Sequence, residues 1–317
     1  RLAWLNQEAR LRLRAGQADQ GSQLLADWLE QGDGQASDFW LMAQVLAGQQ
    51  RWKAASDWVD KAREATASPT LEQLSLAASI YQHAGRDNTA LATLDDLLDG
   101  SGGSADTWRR AAALAQRLGD PGRAAALWEA AWRRGILDSD RDLLRLARLH
   151  MAGGTPARAA EHLAAALERG RLQETPETRR LLAQAWTQAR DHDKALAAWR
   201  ELAGLSDKSQ DWQQLGELAY GWGRWQTALE ALGQARKAGG ETARNWLLSG
   251  IVQLELGDRS GARRAFEAAR QAGAQQAQAW LASLEASQAG GKSARRAGET
   301  HSSGGSGQRS NSTHTGA

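Results

Sequence analysis

Few residues of this chain could carry catalysis or bind a metal ion. Outside the last thirty residues the chain has four histidines, His83, His150, His162 and His192. We expect them to lie in different units of the chain, and none is paired with a carboxylate at the spacing of a known metal or catalytic motif. We therefore expect these histidines to be structural, with no metal site among them.

Aspartates and cysteines give no stronger signal for chemistry. Asp138, Asp140 and Asp142 imitate the start of a calcium-binding loop, but Leu143 and Leu149 replace the glycine and the closing acid that such a loop requires. The chain has no cysteine, which excludes disulfides, thiolate catalysis and cysteine-based zinc sites. No glycine-rich phosphate motif precedes a helix. These observations predict a protein that is not an enzyme and that uses no cofactor.

Overall charge and hydropathy exclude two further classes of function. The net charge is only +2, so electrostatics give no case for nucleic acid as the partner. No apolar run approaches the roughly 18 residues that a membrane span needs. The chain starts at Arg1, without methionine and within a helical pattern, and we expect it to be part of a longer protein.

The elements that would position any site are repeated pairs of helices. In the stretch from Asn245 to Ala269, apolar residues recur at helical spacing on both sides of the Gly257-Asp258 turn. A small residue marks the start of each second helix at intervals of 33 to 36 residues: Gly21, Ala54, Ala90, Ala124, Ala159, Ala195, Ala228 and Ala262. The spacing predicts eight helix-turn-helix units.

Three further positions recur in register with this small residue. Four residues after the small second-helix residue stands a large apolar residue: Leu25, Trp58, Leu94, Trp128, Leu163, Trp199, Leu232 and Phe266. A small residue precedes it by twelve in every unit except the second, where Met42 occupies the position. Glycine precedes it by five in six units, with Gln49 and Arg190 as the exceptions, which indicates a turn with a left-handed residue.

This set of positions resembles the tetratricopeptide repeat family over residues 1 to 286. The resemblance implies an all-α superhelical solenoid with repeats at about 1–34, 35–68, 69–104, 105–138, 139–173, 174–207, 208–241 and 242–274. Residues 275–287 would cap the array, and the Gly/Ser-rich segment 288–317 would be a disordered tail. The loop at 100–104 is the one expected soft joint, either a hinge or simply a longer connection.

The family usually binds protein partners on the concave face formed by first helices. Two positions facing that side contain Arg109, Arg148 and Arg180, which would form a positive strip able to bind carboxylates. The alternative is an ordinary solvated helix face. Other residues at or near these positions are Phe39, Leu144, Gln184, Gln213, Glu217, Tyr220 and Met151. The Lys/Asn pattern with which some members grip a free C-terminus is absent.

Tryptophan is unusually frequent, with 15 residues. We expect most to be core residues, including Trp58, Trp128 and Trp199 in the large apolar position of second helices and Trp108, Trp212 and Trp246 on first helices. Trp52, Trp222 and Trp225 stand at turns. They could lie on a binding edge or pack on the next repeat.

The second half also resembles, more narrowly, the tetratricopeptide component associated with TonB, ExbB and ExbD systems of Gram-negative bacteria. The features are the DKALAAW segment, Trp225 in GRWQTAL, the Gly239-Gly240 link and the NWLLSG entry at Asn245. The resemblance implies a periplasmic scaffold for energy transfer to outer-membrane receptors for iron compounds. Two alternatives stay open: a periplasmic scaffold for polysaccharide or cell-envelope export, and a cytosolic peptide-binding adaptor or cochaperone.

Overall fold

The computed structural model describes residues 2–32, 34–101 and 103–287, and all regular structure in those ranges is helical. It forms two compact units, Arg1–Leu172 and Gln173–Ala317. The first unit contains α1 (Leu2–Arg14), α2 (Ala18–Leu29), α3 (Ala36–Gly48), α4 (Trp52–Glu64), α5 (Leu71–His83), α6 (Asp87–Ser101), α7 (Ala105–Arg117), α8 (Pro121–Arg133), α9 (Asp140–Ala152) and α10 (Pro156–Glu168). The second contains α11 (Pro176–Gln188), α12 (His192–Ser206), α13 (Ser209–Gly221), α14 (Trp225–Lys237), α15 (Ala243–Glu255) and α16 (Arg259–Gln271).

Each odd-numbered helix packs against the helix that follows it, because small and large positions meet within each pair. A Cβ atom added to Gly250 on α15 would lie 2.5 Å from the ring of Phe266 on α16. A Cβ added to Gly216 on α13 would lie 2.8 Å from Leu232 on α14. The small first-helix position therefore accommodates the large second-helix side chain of the same pair. This confirms the predicted all-α helical repeat solenoid.

The second repeat differs from the predicted alignment by one residue. Its fully buried small residues are Ala43 and Ala55, and its large buried residue is Val59, each one position later than predicted. Trp58 is consequently only half-buried, stacked on Phe39 at 5.9 Å between ring centroids. The predicted alignment placed Ala54 at the small position because alanines stand at both 54 and 55. With the corrected alignment, Ala43 replaces Met42 and the small position has no exception.

The turns inside the pairs contain a left-handed residue in all eight units. Six of these are the predicted glycines. The other two are Gln50, at φ 59°, and Arg190, also at φ 59°. Gln50 rather than Gln49 is therefore the turn residue of the second repeat, in keeping with the one-residue shift. Residues other than glycine are strained in this conformation, because their Cβ atom crowds the backbone.

Helix starts follow local sequence signals. Pro121 and Pro156 are the first residues of α8 and α10, where the missing N–H removes no hydrogen bond. Ser139 caps α9, and its hydroxyl accepts a hydrogen bond from the amide of Asp142 while the Asp142 carboxylate accepts from the Ser139 amide. This capping box places the Asp142 side chain at the start of α9.

Several boundary predictions remain only partly observed. Helix α6 continues to Ser101, so the first two residues of the expected joint at 100–104 are helical, and residues 103 and 104 are not; Gly102 itself lies outside the described residues. Residues 277–287 form a further helical segment, in which Leu281 and Leu284 are buried against the Phe266 cluster. The tail 288–317 lies outside the described residues. Within the described ranges, no helix is long and apolar enough to span a membrane.

Tryptophans contribute to the core as predicted, with exceptions. Trp128, Trp199 and Trp108 are buried. Trp212 and Trp246 are only half-buried, and the ring of Trp246 lies under the Arg236 guanidinium, 4.1 Å from the centroid. The cation over the ring face stabilises the half-buried Trp246.

Candidate functional site

A strongly charged cavity in the first unit lies between α7, α8 and α9. Its volume is about 630 Å³, and we call it the arginine pocket. It is lined by four arginines and one aspartate, together with one tryptophan and one serine: Arg109, Trp128, Ser139, Arg141, Asp142, Arg145 and Arg148. Arg109 comes from α7 and the other three arginines from α9, so the pocket joins the first helices of the fourth and fifth repeats.

Three arginines share one face of α9 because they follow helical spacing. Arg141, Arg145 and Arg148 are separated by four and three residues, and all three are exposed. Arg145 donates a hydrogen bond to the neutral side chain of Gln116. Neither Arg141 nor Arg148 has an ion-pair partner in the part of the chain that the structure describes. Their charges are available to a ligand.

Arg109 is already engaged with an acid from the next repeat. Its Nη2 atom lies 3.1 Å from Asp142 Oδ1 and 3.2 Å from Oδ2, and Asp142 is only 5% exposed. Burial alone would raise the pKa of Asp142, but hydrogen bonds from Ser139 and Arg109 outweigh burial and hold that pKa below its ordinary value. Asp142 therefore remains ionised and neutralises one of the four arginines. Three positive charges remain in the pocket lining.

The same arrangement recurs in the second unit. Arg180 on α11 binds Asp211 on α13 through two hydrogen bonds of 2.5 and 2.9 Å, and Asp211 is 3% exposed. Between the seventh and eighth repeats, Gln213 and Asn245 occupy the equivalent positions, and the Asn245 side-chain amide donates a hydrogen bond to Gln213 Oε1 at 2.7 Å. Arg109 and Arg180 thus connect consecutive repeats. Of the three arginines predicted to form a binding strip, only Arg148 is without a partner among the described residues.

The remaining predicted groove residues lie on α11 and α13. Gln184 is exposed. Glu217 accepts a hydrogen bond from Gln213 and forms an ion pair with Arg244 at 2.8 Å. Tyr220 packs on the ring of Trp225, with centroids 5.6 Å apart. Binding of a protein partner by these side chains stays a prediction.

The turn tryptophans stack on neighbouring repeats. Trp52 lies on His83 with ring centroids 4.3 Å apart, and Trp222 lies on His192 at 4.2 Å. Each pair joins consecutive repeats, and all three turn tryptophans, Trp225 included, are half-buried. These contacts favour packing between repeats over display on a binding edge.

The expectation that the histidines lie in different units, with no partnered carboxylate, is wrong for two of them. His150 and His162 belong to the same repeat, on α9 and α10, and both ring Nε2 atoms lie 3.7 Å from the carboxylate of Glu129 on α8. Burial lowers the pKa of His150, so its ring is neutral at pH 7. Arg158 and Arg133 outweigh the effect of burial on Glu129 and keep the pKa of that carboxyl below its ordinary value.

Sequence reasoning missed Arg141 and Arg145 as pocket residues, although their spacing to Arg148 was readable as one helix face. It also missed the acids that bind Arg109 and Arg180. Their signal was the recurrence of Asp142 and Asp211 five residues before the small first-helix residue of their repeats.

No protein-family model matches the sequence, and no curated protein matches it. Solved structures with similar folds include MamA, at 18% identity over 55% of this chain and 94% of that one, with a TM-score of 0.42. A tetratricopeptide repeat protein from Parabacteroides merdae ATCC 43184 shares 15% identity over 79% of this chain and 98% of that one, with a TM-score of 0.36. YrrB, described as a TPR protein with an unusual peptide-binding site, shares 14% identity over 57% and 93%, with a TM-score of 0.41.

Proposed function

We propose that this chain is a non-enzymatic protein-interaction scaffold that binds an acidic segment of a protein partner in the arginine pocket. The observation that carries the proposal is the excess of positive charge there: four arginines face one cavity, and among the residues that the structure describes only Arg109 is neutralised by a neighbouring acid. Guanidinium groups bind carboxylates through paired hydrogen bonds, which gives geometric selectivity as well as charge attraction.

The surrounding structure supports this role by holding the arginines in place. The Arg109–Asp142 ion pair fixes α7 against α9, and Trp128 on α8 donates a hydrogen bond from Nε1 to the backbone oxygen of Asp142 at 3.0 Å. The start of α9 is thereby held by both preceding helices. A rigid site loses less entropy on binding, so more of the interaction energy appears as affinity.

A charge-reversal experiment tests the proposal. The probe is a fluorescein-labelled oligoglutamate peptide, with an oligolysine peptide as the negative control, and binding is measured by fluorescence anisotropy at low and high salt. The variant is Arg141→Glu with Arg148→Glu. The matched control is Arg259→Glu with Arg270→Glu on α16, which makes the same change in net charge at two exposed arginines.

We expect the α9 variant to weaken oligoglutamate binding by about 10-fold or more, because two attractive contacts become repulsive. The α16 control should leave binding near the wild-type value. Affinity should fall with salt, since the pocket arginines are exposed. Equal effects of the two variants would show that net charge, not the arginine pocket, determines binding.

The biological setting that we propose is the bacterial periplasm, with a TonB/ExbB/ExbD-type complex as the partner. The support is the sequence resemblance of residues 38 to 286, particularly the GRWQTAL and NWLLSG segments, and the absence of cysteine is compatible with an oxidising compartment. An envelope pull-down with the full chain tests this proposal. Recovery of TonB, ExbB or ExbD would support it. Enrichment of export proteins would favour a polysaccharide or cell-envelope export scaffold, and binding of free peptide C-termini would favour a cytosolic adaptor.

A further inference from the structure

A second cluster of polar groups in the first unit lies outside the arginine pocket. Glu129, His150 and His162 come from three consecutive helices, α8, α9 and α10. One potential ligand atom of each residue lies within 4.8 Å of the others. Glu129 and His150 are buried and His162 is partly buried. Three helices therefore direct two imidazoles and one carboxylate at a common point.

The ring nitrogen Nε2 of His150 points at this cluster and has no hydrogen-bond partner among the described residues. The Thr155 hydroxyl oxygen lies 2.9 Å from His150 Nδ1 and 3.3 Å from the backbone oxygen of His150, to which it can donate its hydrogen. In the tautomer in which Nδ1 donates its proton to that hydroxyl, Nε2 keeps a free lone pair. His150 is 2% exposed, and Nε2 has no hydrogen-bond donor among the described residues.

This arrangement matches the support that proteins give to a metal-binding histidine. Such a residue commonly donates its second ring N–H to a polar neighbour, which fixes the tautomer and turns the other nitrogen towards the ion. In this tautomer the lone pair of His150 Nε2 faces the negative Oε2 atom of Glu129 at 3.7 Å, which is an unfavourable contact in a buried site without a cation. A cation between them would make both contacts attractive.

We propose that Glu129, His150 and His162 form a Zn²⁺-binding site, with one carboxylate oxygen and the two Nε2 atoms as ligands. Two imidazoles and a carboxylate form a donor set that suits Zn²⁺. Bonds of about 2.0–2.2 Å to a tetrahedral ion place ligand atoms roughly 3.3–3.6 Å apart. Glu129 Oε2 lies 3.7 Å from His150 Nε2, and Oε1 lies 3.7 Å from His162 Nε2. One ligand atom of each residue already lies within 4.8 Å of the others, and side-chain rotations bring one oxygen and both nitrogens to the tetrahedral spacing.

Two arginines compete with the ion for Glu129. Arg158 Nη1 lies 2.5 Å from Oε2, and Arg133 Nη2 lies 2.6 Å from Oε1. Their side chains are 51% and 63% exposed, so each can turn into solvent. Their charge lowers the affinity for a cation. Removing one arginine should therefore strengthen zinc binding, which is an effect that a purely structural role of the cluster would not produce.

Isothermal titration calorimetry of the full chain with ZnCl₂, after removal of metals with a chelator, tests the proposal. His301 and His314 lie outside the described residues and are replaced by alanine in every variant, so that they contribute no binding. The variants in this background are His162→Ala, Arg158→Gln and the control His192→Ala. His162 is partly exposed, so we expect its removal to leave the helices intact, and His192 stacks on Trp222 in the second unit.

We expect one Zn²⁺ per chain, at least a 10-fold loss of affinity in His162→Ala, no change in His192→Ala and a several-fold gain in Arg158→Gln. Co²⁺ should show d–d absorption bands that His162→Ala removes. Absence of binding at 100 μM ZnCl₂, or equal affinity in His162→Ala and His192→Ala, would overturn the proposal. Weaker binding in Arg158→Gln would also contradict it, because the guanidinium would then assist binding instead of competing.

Discussion

Replacement of Arg109 and Arg148 by alanine should separate a structural arginine from a binding arginine. Both lie in the arginine pocket, but within the described part of the chain only Arg109 has an ion-pair partner, the buried Asp142. Arg109→Ala leaves that carboxylate without its cation. Arg148→Ala removes an exposed side chain with no partner among the described residues.

The magnitude follows from burial and the remaining hydrogen bonds. A hydrogen bond to a charged group contributes about 1.5–3 kcal/mol when buried, whereas exposed ion pairs contribute about 0–1 kcal/mol. The Arg109 side chain is 47% exposed, and Asp142 keeps its hydrogen bonds to Ser139 after the change. We therefore expect Arg109→Ala to cost about 1 kcal/mol. Arg148→Ala should stay within about 0.5 kcal/mol of wild type.

Hydrogen exchange of the backbone amides of α9 is the appropriate assay, because repeat proteins open locally and a single unfolding midpoint can conceal a local effect. Arg109→Ala should lower the opening free energy of α9. In the Asp142→Asn background, where no buried carboxylate is left without its cation, Arg109→Ala should lower that free energy much less. Arg148→Ala should weaken oligoglutamate binding with unchanged exchange. Equal exchange in both alanine variants would refute the assignment of Arg109 as an inter-repeat contact.

Three further predictions concern stability. Gly250→Ala should destabilise the chain by about 1–3 kcal/mol, because its Cβ would lie 2.5 Å from the Phe266 ring. Gly233→Ala in α14 should stabilise it by about 0.5–1 kcal/mol, because the new Cβ meets only the flexible end of Arg236 at 3.8 Å. Urea unfolding of both variants measures the two changes in stability. Arg190→Gly should stabilise by up to about 1 kcal/mol in the same assay, since φ is 59° there, and a loss would contradict the strain argument. The lowered pKa values of Asp142 and Asp211 mean that their contribution is complete above the ordinary aspartate pKa of about 3.9 and is lost as the pH falls through the folded values. Melting temperatures measured from pH 5 to pH 2 should therefore fall more steeply in wild type than in a variant with asparagine at both positions.

The repeat architecture was predictable because each pair of helices obeys the same local rules. Glycine at a left-handed turn, a small residue facing a large one and proline at a helix start are all set by neighbours within one repeat. The error in the second repeat has the same origin. Adjacent alanines at 54 and 55 satisfy the small position equally well, and only the packing of Val59 decides between them.

The site was less predictable because it depends on contacts between repeats. The spacing identifies Arg109 and Arg148 on the correct face, but the choice of Asp142 as a partner depends on how α7 and α9 stack. Glu129, His150 and His162 are separated by 21 and 12 residues and by two turns. No spacing rule connects residues that meet only when three helices pack together.

The most direct test of the account places a photo-crosslinking amino acid at position 148 in the arginine pocket, with position 168 at the end of α10 as the control. Irradiation of cells that express the full chain is followed by mass spectrometry of the crosslinked peptides. The account predicts a crosslink from position 148, but not from 168, to a segment rich in aspartate and glutamate in a partner protein. A partner captured from position 168 alone, or a crosslink from 148 to a segment without acidic residues, would contradict it.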